Sequence, residues 1–562
     1  MLDEVRTADQ IRQDTQQGVA EKRIQTFRQI LLWPIQLVPE NNATIVEDYA
    51  AILETLGPDN PWYEIADEFT GDPKDFQQRH YSEFVTFLPP VQRLLYGSGR
   101  GKPGSVCAES PIKAFRRSDV AKIRITLSAG AAPLELDVTH IDLYFFYEID
   151  VAILAFEVHA SDLPLVTVQD LMFRLGRTYP AYWEENGSGG HCPDKVEFIG
   201  NDGGVLAVSD HNDQAKFLAQ VCLKRSARVA SHWQFLLHPL VPHHSDLPGQ
   251  IRYKQLEYSR MPQMDFLAAS AGTALTRADY VRLAFASGPG SCDELPFSES
   301  HLTSFESAFC YDRYYGQHNG VEWPESRYMS CGHTLVVTGN ADNPFFTDIN
   351  HGCQNSFRHE HFLVFLLAHF HKAALLMFSD QLTEAMSRLD AHDKSAVLSF
   401  RMASRRALET FLRFTHRYWF HSVSNQTQAR ELFTLCRSHL ELDRLYDDIR
   451  QEIQEMSEFL ENEALRRQND TMTRLTVVTT LGLIGTTVTG FLGMNVLAWA
   501  DEPLPWRIWA FLAVLIPTIL LTLLTIVNSR SLSNFMERLS DTERTKNVRP
   551  KRQKRAPPPR NN

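Results

Sequence analysis

The 562-residue sequence has no glycine or proline from Cys353 to Leu481. That absence excludes a turn-rich β-domain over the stretch, and its Leu, Ala, Arg, Glu and Gln content favours long helices. Charge is also missing in two places: no Asp, Glu, Lys or Arg lies between Arg474 and Asp501, nor between Arg507 and Arg530. Eight cysteines (Cys107, Cys192, Cys222, Cys292, Cys310, Cys331, Cys353, Cys436) form no CxxC pair, so they read as reduced thiols. There is no P-loop, GxSxG or HExxH, and no enzyme is expected. The polar N-terminus MLDEVRTADQIRQDTQQG has no apolar h-region, so no secretory signal is expected. The net charge is −12, yet the last stretch is strongly basic, so the rest is more acidic than the total. Such a surface attracts cations and argues against nucleic acid as a partner.

What is present divides the chain into parts. Residues 1–105 read as a helical N-terminal extension: Thr44 caps TIVEDYAAILETLG, whose Ile45, Tyr49, Ile52 and Leu56 keep helical spacing until Gly57-Pro58. GSGRGKPGS (97–105) reads as a linker. Residues 106–350 read as a cytosolic α/β domain with a mainly antiparallel sheet. Its strand candidates are Ile141–Tyr147 and Val151–Val158, joined by a turn at Glu148–Asp150, together with HWQFLLHPLV, YVRLAFASG and HTLVVTGN. VTVQDLMFRLGRTYPAYW reads as a helix. Residues 351–427 read as a cytosolic helical pair, Ser356–Leu389 and Lys394–His421. A stalk helix, 428–474, then runs unbroken from Gln428 into the membrane; from there to Asn495 it would be on the order of 100 Å long. Its Leu442, Leu445, Ile449, Ile453, Met456 and Leu460 form a heptad-like stripe, read as self-association in preference to an intramolecular bundle.

The two charge-free runs are each long enough to cross a bilayer: 475–496 as a first span and 507–529 as a second. The outer loop, 497–506, carries Asp501 and Glu502 but no Lys or Arg. Arg466, Arg467 and Arg474 precede the hairpin, and Arg530 with the basic tail, 530–562, follows it. Positive-inside logic places both termini in the cytoplasm, in a bacterial inner membrane or in a eukaryotic organelle membrane. The tail reads as a segment lying near anionic lipid.

The first span is rich in Thr and Gly, the second in Leu and Ile, so the first is expected inside and the second against lipid. Met472, Leu475, Thr479, Leu483, Thr486, Gly490 and Gly493 share one helical face. By composition, that face suits a pore lining and a helix–helix contact equally. The Gly493-Met494-Asn495 triplet at its outer end favours the pore. Magnesium holds its water tightly and prefers oxygen ligands. A ring of neutral amide oxygens can hydrogen-bond the hydrated ion without binding it too tightly for release.

A two-span C-terminal hairpin ending its first span in GMN, below a long helix, resembles the CorA family of divalent-cation transporters, from about Ser356 onward. The resemblance implies a funnel-shaped homo-oligomer, a pentamer in that family, that passes hydrated Mg2+ into the cytoplasm. Gly493, Met494 and Asn495 would form the selectivity filter. Thr479, Leu483, Thr486 and Gly490 would line the pore, and Met472 and Leu475 would be its hydrophobic gate. Asp501 and Glu502 would draw cations to the mouth. In the family, cytosolic Mg2+ bound between subunits holds the pore shut. Here Asp447, Asp448, Glu455 and Glu458 on the stalk are the candidates for a regulatory cation, against the plain reading of a solvated helix face. No prosthetic group is implied. Co2+ and Ni2+ are possible passengers. A zinc transporter of the same architecture and a non-conducting membrane-anchored sensor are the alternatives. The histidines at 359, 361, 369 and 371 and at 238, 243 and 244 read as structural or surface residues, because their spacing is no ligand motif.

Overall fold

A computed structural model describes residues 22–39, 60–65, 78–97, 111–146, 149–246, 251–257, 259–270, 275–291, 297–314, 326–387 and 394–498, with a few isolated positions between them and scattered positions from 503 to 520. The expected helix at 44–57 (Leu53 apart), the linker after Gly97, Asp501, Glu502 and the tail from 530 lie outside the described residues. So does most of the expected second span, of which 508, 509, 512, 513, 515–517 and 520 are helical.

The largest departure from the sequence reading is at the N-terminus. The segment expected to be a helical lead-in instead holds β1 (Arg23–Pro39), a long strand at the heart of the sheet. It pairs antiparallel with β6 (Val151–Pro164) from Arg23↔Pro164 to Gln36↔Val151. On its other side it pairs first with β11 (Gln263–Ala269) and then with β10 (Ile251–Gln255). Both faces are buried, so β1 lacks the polar alternation that marks a half-exposed strand. Pro34 also argues against a central strand, because proline donates no ladder bond. It is tolerated because the β11 ladder ends at Leu31 and the β10 ladder begins at Ile35. Leu32 N–H donates to Pro262 O on that side, so the Pro34 nitrogen, two residues on, points into the gap.

The other strands are β2 (Trp62–Glu64), β3 (Ile112–Arg117), β4 (Val120–Thr126), β5 (Leu134–Phe146), β7 (Lys195–Gly200), β8 (Val205–Val208), β9 (Val241–Pro242), β12 (Cys310–Tyr314), β13 (Ser326–Cys331) and β14 (Thr334–Asn340). Their order is β12-β13-β14-β11-β1-β6-β5-β4-β7-β8, with β10 on β1, β9 on β10, β3 on β5 and β2 on β3. Pairing is antiparallel except for β11/β14 and β9/β10, and the expected β5/β6 hairpin forms.

Ten helices are described before the C-terminal third: α1 (Gln78–Thr86), α2 (Pro89–Tyr96), α3 (Leu165–Arg174), α4 (Gln214–Lys224), α5 (Ser231–Leu237), α6 (Arg277–Phe285), α7 (Glu299–Phe309), α8 (Pro344–Thr347), α9 (Cys353–Arg358) and α10 (Glu360–Ser387). Two of them replace expected strands. HWQFLLHPLV is mostly α5, which ends at Leu237, just before His238-Pro239. YVRLAFASG lies mostly in α6, opened by a capping box of Thr276 and Asp279. Short apolar runs do not distinguish strand from buried helix.

One face of the sheet carries α3, α5, α6 and α7 over a core in which Trp233 meets Trp33, Phe156 and Phe198 edge-on. The other face carries α9 and α10; Phe370 of α10 stacks on Phe146 at 3.8 Å between ring centroids. Residues 353–387 form the one described helical run long and apolar enough to cross a membrane, yet 72% of its apolar window is buried. It is a core helix packed on β1 and β6. Its His361, His369 and His371 are fully buried and kept neutral by that burial, which pushes His361 down to about 4 and His371 to about 3. They are structural histidines; among the described residues no cluster of His, Cys, Asp or Glu is placed to hold a metal ion.

Two buried polar groups stand out. Glu157 of β6 accepts from Arg28 of β1 (2.5 Å) and from Arg358 of α9 (2.8 Å), tying the sheet to the C-terminal helices. Asp265 of β11 is fully buried and accepts from Gln29 Nε2 at 2.8 Å. Burial pushes its carboxyl up to about 8 against the pull of Gln29 and Arg260. The folded chain therefore keeps a proton at this site where the unfolded chain, with an ordinary aspartate near 4, has lost it. Stability from this group falls as pH rises between those values, by up to about 1.4 kcal/mol per pH unit. Asp265→Asn should remove that slope, so the variant gains on the parent steadily as pH rises; parallel stability curves from thermal unfolding would contradict it.

Candidate functional site

The C-terminal helices are α11 (Lys394–Arg417), α12 (Thr427–His439) and α13 (Leu442–Ala498). The stalk is not continuous from Gln428: the chain breaks at Leu440–Glu441, where Glu441 adopts φ 52°. The sequence offers no glycine, proline or asparagine there to signal a break. Side chains around it hold the turn. Arg437 donates from Nε to both Asp443 carboxylate oxygens at 3.2 and 3.1 Å, donates to Phe420 O, and lies 4.5 Å over the Trp419 ring. Trp419 stacks on Tyr446, which stacks on Phe411 of α11. Asp443 also sits in the first turn of α13, where negative charge is favoured. The clamp fixes the root of the long helix, and the sequence reading missed it because Arg437, Asp443, Trp419 and Tyr446 follow no motif spacing and meet only once the turn is formed.

The heptad-like stripe divides. Leu442, Ile449 and Ile453 are buried within the chain, so this half is an intramolecular seam, contrary to the self-association expected of it. Leu445, Met456 and Leu460 are half-buried. The candidate regulatory acids Asp447, Asp448, Glu455 and Glu458 are all exposed on α13. Asp447 lies 3.3 Å from Arg450, and Glu458 accepts from Gln454 at 3.1 Å. No third carboxylate joins any of them in a metal-holding group among the described residues.

Further along α13, exposure follows the helix period. Met472, Leu475, Thr479, Leu483, Thr486 and Gly490 are exposed and Gly493 is half-buried; Thr476 and Thr480 widen the exposed arc. On the opposite side Val477 is buried, and Arg474, Val478, Leu481, Gly485 and Thr489 are half-buried. Met494 and Asn495 are helical in backbone, and their side chains lie outside the described residues.

The threonines share one arrangement. Thr476 donates to Met472 O, Thr479 to Leu475 O, Thr480 to Thr476 O, Thr486 to Leu483 O and Thr489 to Gly485 O, all between 2.8 and 2.9 Å. A hydroxyl has one hydrogen and two acceptor lone pairs. With the hydrogen committed to the backbone, Oγ1 of the exposed Thr476, Thr479, Thr480 and Thr486 presents only acceptor capacity outward, while Thr489 lies on the half-buried side. Such a face suits a ligand that arrives as a cluster of O–H donors. The glycines add a second observation. A Cβ built at Gly482, Gly490 or Gly493 meets nothing within 4 Å. Glycine in a helix interior costs about 1 kcal/mol relative to alanine, and nothing described within this chain offsets that cost.

Residues 378–528 match the family model described as CorA-like Mg2+ transporter protein. The match begins near the end of α10, takes in α11, α12 and α13, and leaves out the sheet. No curated protein matches the chain, and no solved structure matches it.

Proposed function

We propose that the chain is a CorA-like, homo-oligomeric channel for hydrated divalent cations, embedded in a membrane by a hairpin of 475–496 and 507–529. The family match over 378–528 carries this reading, because it covers the helix that bears the exposed threonine and glycine face. Two spans cannot enclose an aqueous path, so several copies supply its wall; five is the number the family resemblance implies. The open space beside Gly482, Gly490 and Gly493 supports close approach of neighbouring copies there.

The cargo is Mg2+ with its water shell, and Co2+ or Ni2+ travel by the same route. Coordinated waters point hydrogens outward, and the ring of Thr486 and Thr479 oxygens accepts them in place of bulk solvent. Asn495 carboxamides form the outer ring with Gly493 and Met494. Asp501 and Glu502 raise the local cation concentration. Met472 and Leu475 close the cytoplasmic end by excluding water. Cytosolic Mg2+ bound at Asp447, Asp448, Glu455 and Glu458 against acids of a neighbouring copy holds the gate shut. The membrane potential drives entry.

Purified protein in liposomes, with a Mg2+-sensitive dye inside and an imposed inside-negative potential, tests the proposal. Influx that external Co2+ or Ni2+ competes away is expected. No flux at all fits a non-conducting receptor, and influx of Zn2+ in preference to Mg2+ fits the zinc branch; either result sinks the magnesium assignment.

A further inference from the structure

The row of side chains that carries the proposed gate does not stop at Met472. At steps of seven residues, α13 sets Leu465, Met472, Thr479 and Thr486 one above another, each about 20° round from the last. The helix is unbroken over this length, so Leu465 faces whatever axis the threonines face. Burial gives the same phase independently. Ile453 and Val477 are buried, and Met456, Leu460, Glu463 and Arg474 are half-buried. All six lie on the side of the helix turned away from Met472, and Leu465 lies on the open side.

Leu465, Met472 and Leu475 are alike in exposure, at 57, 58 and 59%. A single exposed leucine is ordinary; its place in the row is what sets this one apart. The stretch 462–471 is otherwise polar apart from Ala464, and it carries Glu463, Arg466, Arg467 and Asp470. Its one large apolar side chain falls on the row. Gln468, also exposed, lies on the same face between Leu465 and Met472, and Glu461 follows below Leu465.

We propose that Leu465 forms a second apolar constriction about 10 Å to the cytosolic side of Met472, with Gln468 carboxamides lining a polar chamber between the two. This constriction rests on the channel reading and adds to it a gate in series. A ring of leucines offers a hydrated cation no acceptor for its water hydrogens, and a narrow apolar ring sheds water. Gln468 oxygens accept those hydrogens, so an ion rests in the chamber with its shell intact. With two rings in series, neither closes the path alone. Opening the ring of Met472 and Leu475 leaves Leu465 holding the ion back, and the reverse holds.

Thiol protection in the shut state tests this. Full-length protein with Gln468→Cys, in a background without other reactive cysteines, is placed in planar bilayers. With Mg2+ on the side of the cytosolic domain to hold the pore shut, a membrane-impermeant, positively charged methanethiosulfonate is applied on that side and washed out. Mg2+ is then removed and the remaining current recorded. Gln468→Cys should be spared behind Leu465. Adding Leu465→Gln, whose helix propensity matches leucine, should speed its modification about tenfold. Leu465→Met should leave it spared, and Thr479→Cys should be spared beside either residue, because Met472 and Leu475 still close the path above. Modification of Gln468→Cys at one rate whatever stands at 465 overturns the inference. So does a Leu465→Gln oligomer that dissociates at lower temperature while Gln468→Cys stays spared, which marks Leu465 as a contact between copies. A parent protein that carries no current overturns the channel reading, and the constriction with it.

Discussion

Replacing Asn495 with alanine is expected to abolish Mg2+-dependent rescue of a transport-deficient cell while leaving expression and assembly intact. The argument is one of hydration. Mg2+ dehydrates reluctantly, so a selective entrance must hold the ion with its waters in place. A carboxamide oxygen accepts a hydrogen bond from a coordinated water, and a ring of them makes several such bonds at once without a fixed charge. Alanine leaves that circle apolar, and each 1.4 kcal/mol of lost interaction is a tenfold fall in occupancy. Losing two or three water contacts therefore lowers flux by on the order of a hundredfold. Asn495→Asp should fail differently, by holding the cation too tightly for release. Undiminished rescue by Asn495→Ala would refute the role assigned to this residue.

The second large effect is expected on folding. Glu157→Gln leaves Arg28 and Arg358 facing each other in the interior without their shared carboxylate. Arg28 already suffers from burial, which lowers its pKa, and Glu157 is the partner that opposes this. Burial works against the Glu157 charge too, but Arg358 and Arg28 outweigh it and hold the carboxyl below its usual range. Removing one member of a buried ion group costs about 3–5 kcal/mol, because the remaining charges stay buried. Thermal unfolding should therefore drop by on the order of 10 °C. The sign with pH follows from the lowered pKa. The stabilisation is present above the ordinary glutamate range and is lost as pH falls through the folded value. Replacing all three residues by apolar ones of similar volume should cost less than the single change. An unfolding temperature for Glu157→Gln equal to the parent's would contradict the account.

These two residues show what the sequence makes legible and what it hides. The Asn495 reading came from a triplet in a telling position, and α13 came from an absence of breakers that the structure reproduces as helix from Leu442–Ala498. The β5/β6 hairpin and β14 were visible because their apolar runs are bounded by turn residues. The centre of the sheet was not. β1 is buried on both faces and contains Pro34, so it carries neither alternation nor a proline-free run. The Glu157 network was equally hidden: Arg28, Glu157 and Arg358 come together only when β1 lies beside β6 and α9 packs over both. The break at Glu441 had no local signal, because the Arg437–Asp443 pair and the Trp419–Tyr446 stack hold the turn in place of a glycine. Of the residues that the helical period groups on one face of α13, Met472, Leu475, Thr479, Leu483, Thr486 and Gly490 are exposed and Gly493 is half-buried, and exposure does not distinguish a pore wall from a subunit contact.

Thiol accessibility separates those two. Thr479→Cys and Thr486→Cys, each in a background without other reactive cysteines, are to be treated in liposomes with a membrane-impermeant, positively charged methanethiosulfonate while Mg2+ influx is recorded. The account predicts that both positions are modified, that modification blocks influx, and that Mg2+ slows the reaction by competing for the same path. Inert cysteines at 479 and 486, with ready block through cysteines placed at Leu512 or Ile516 on the second span, would contradict it.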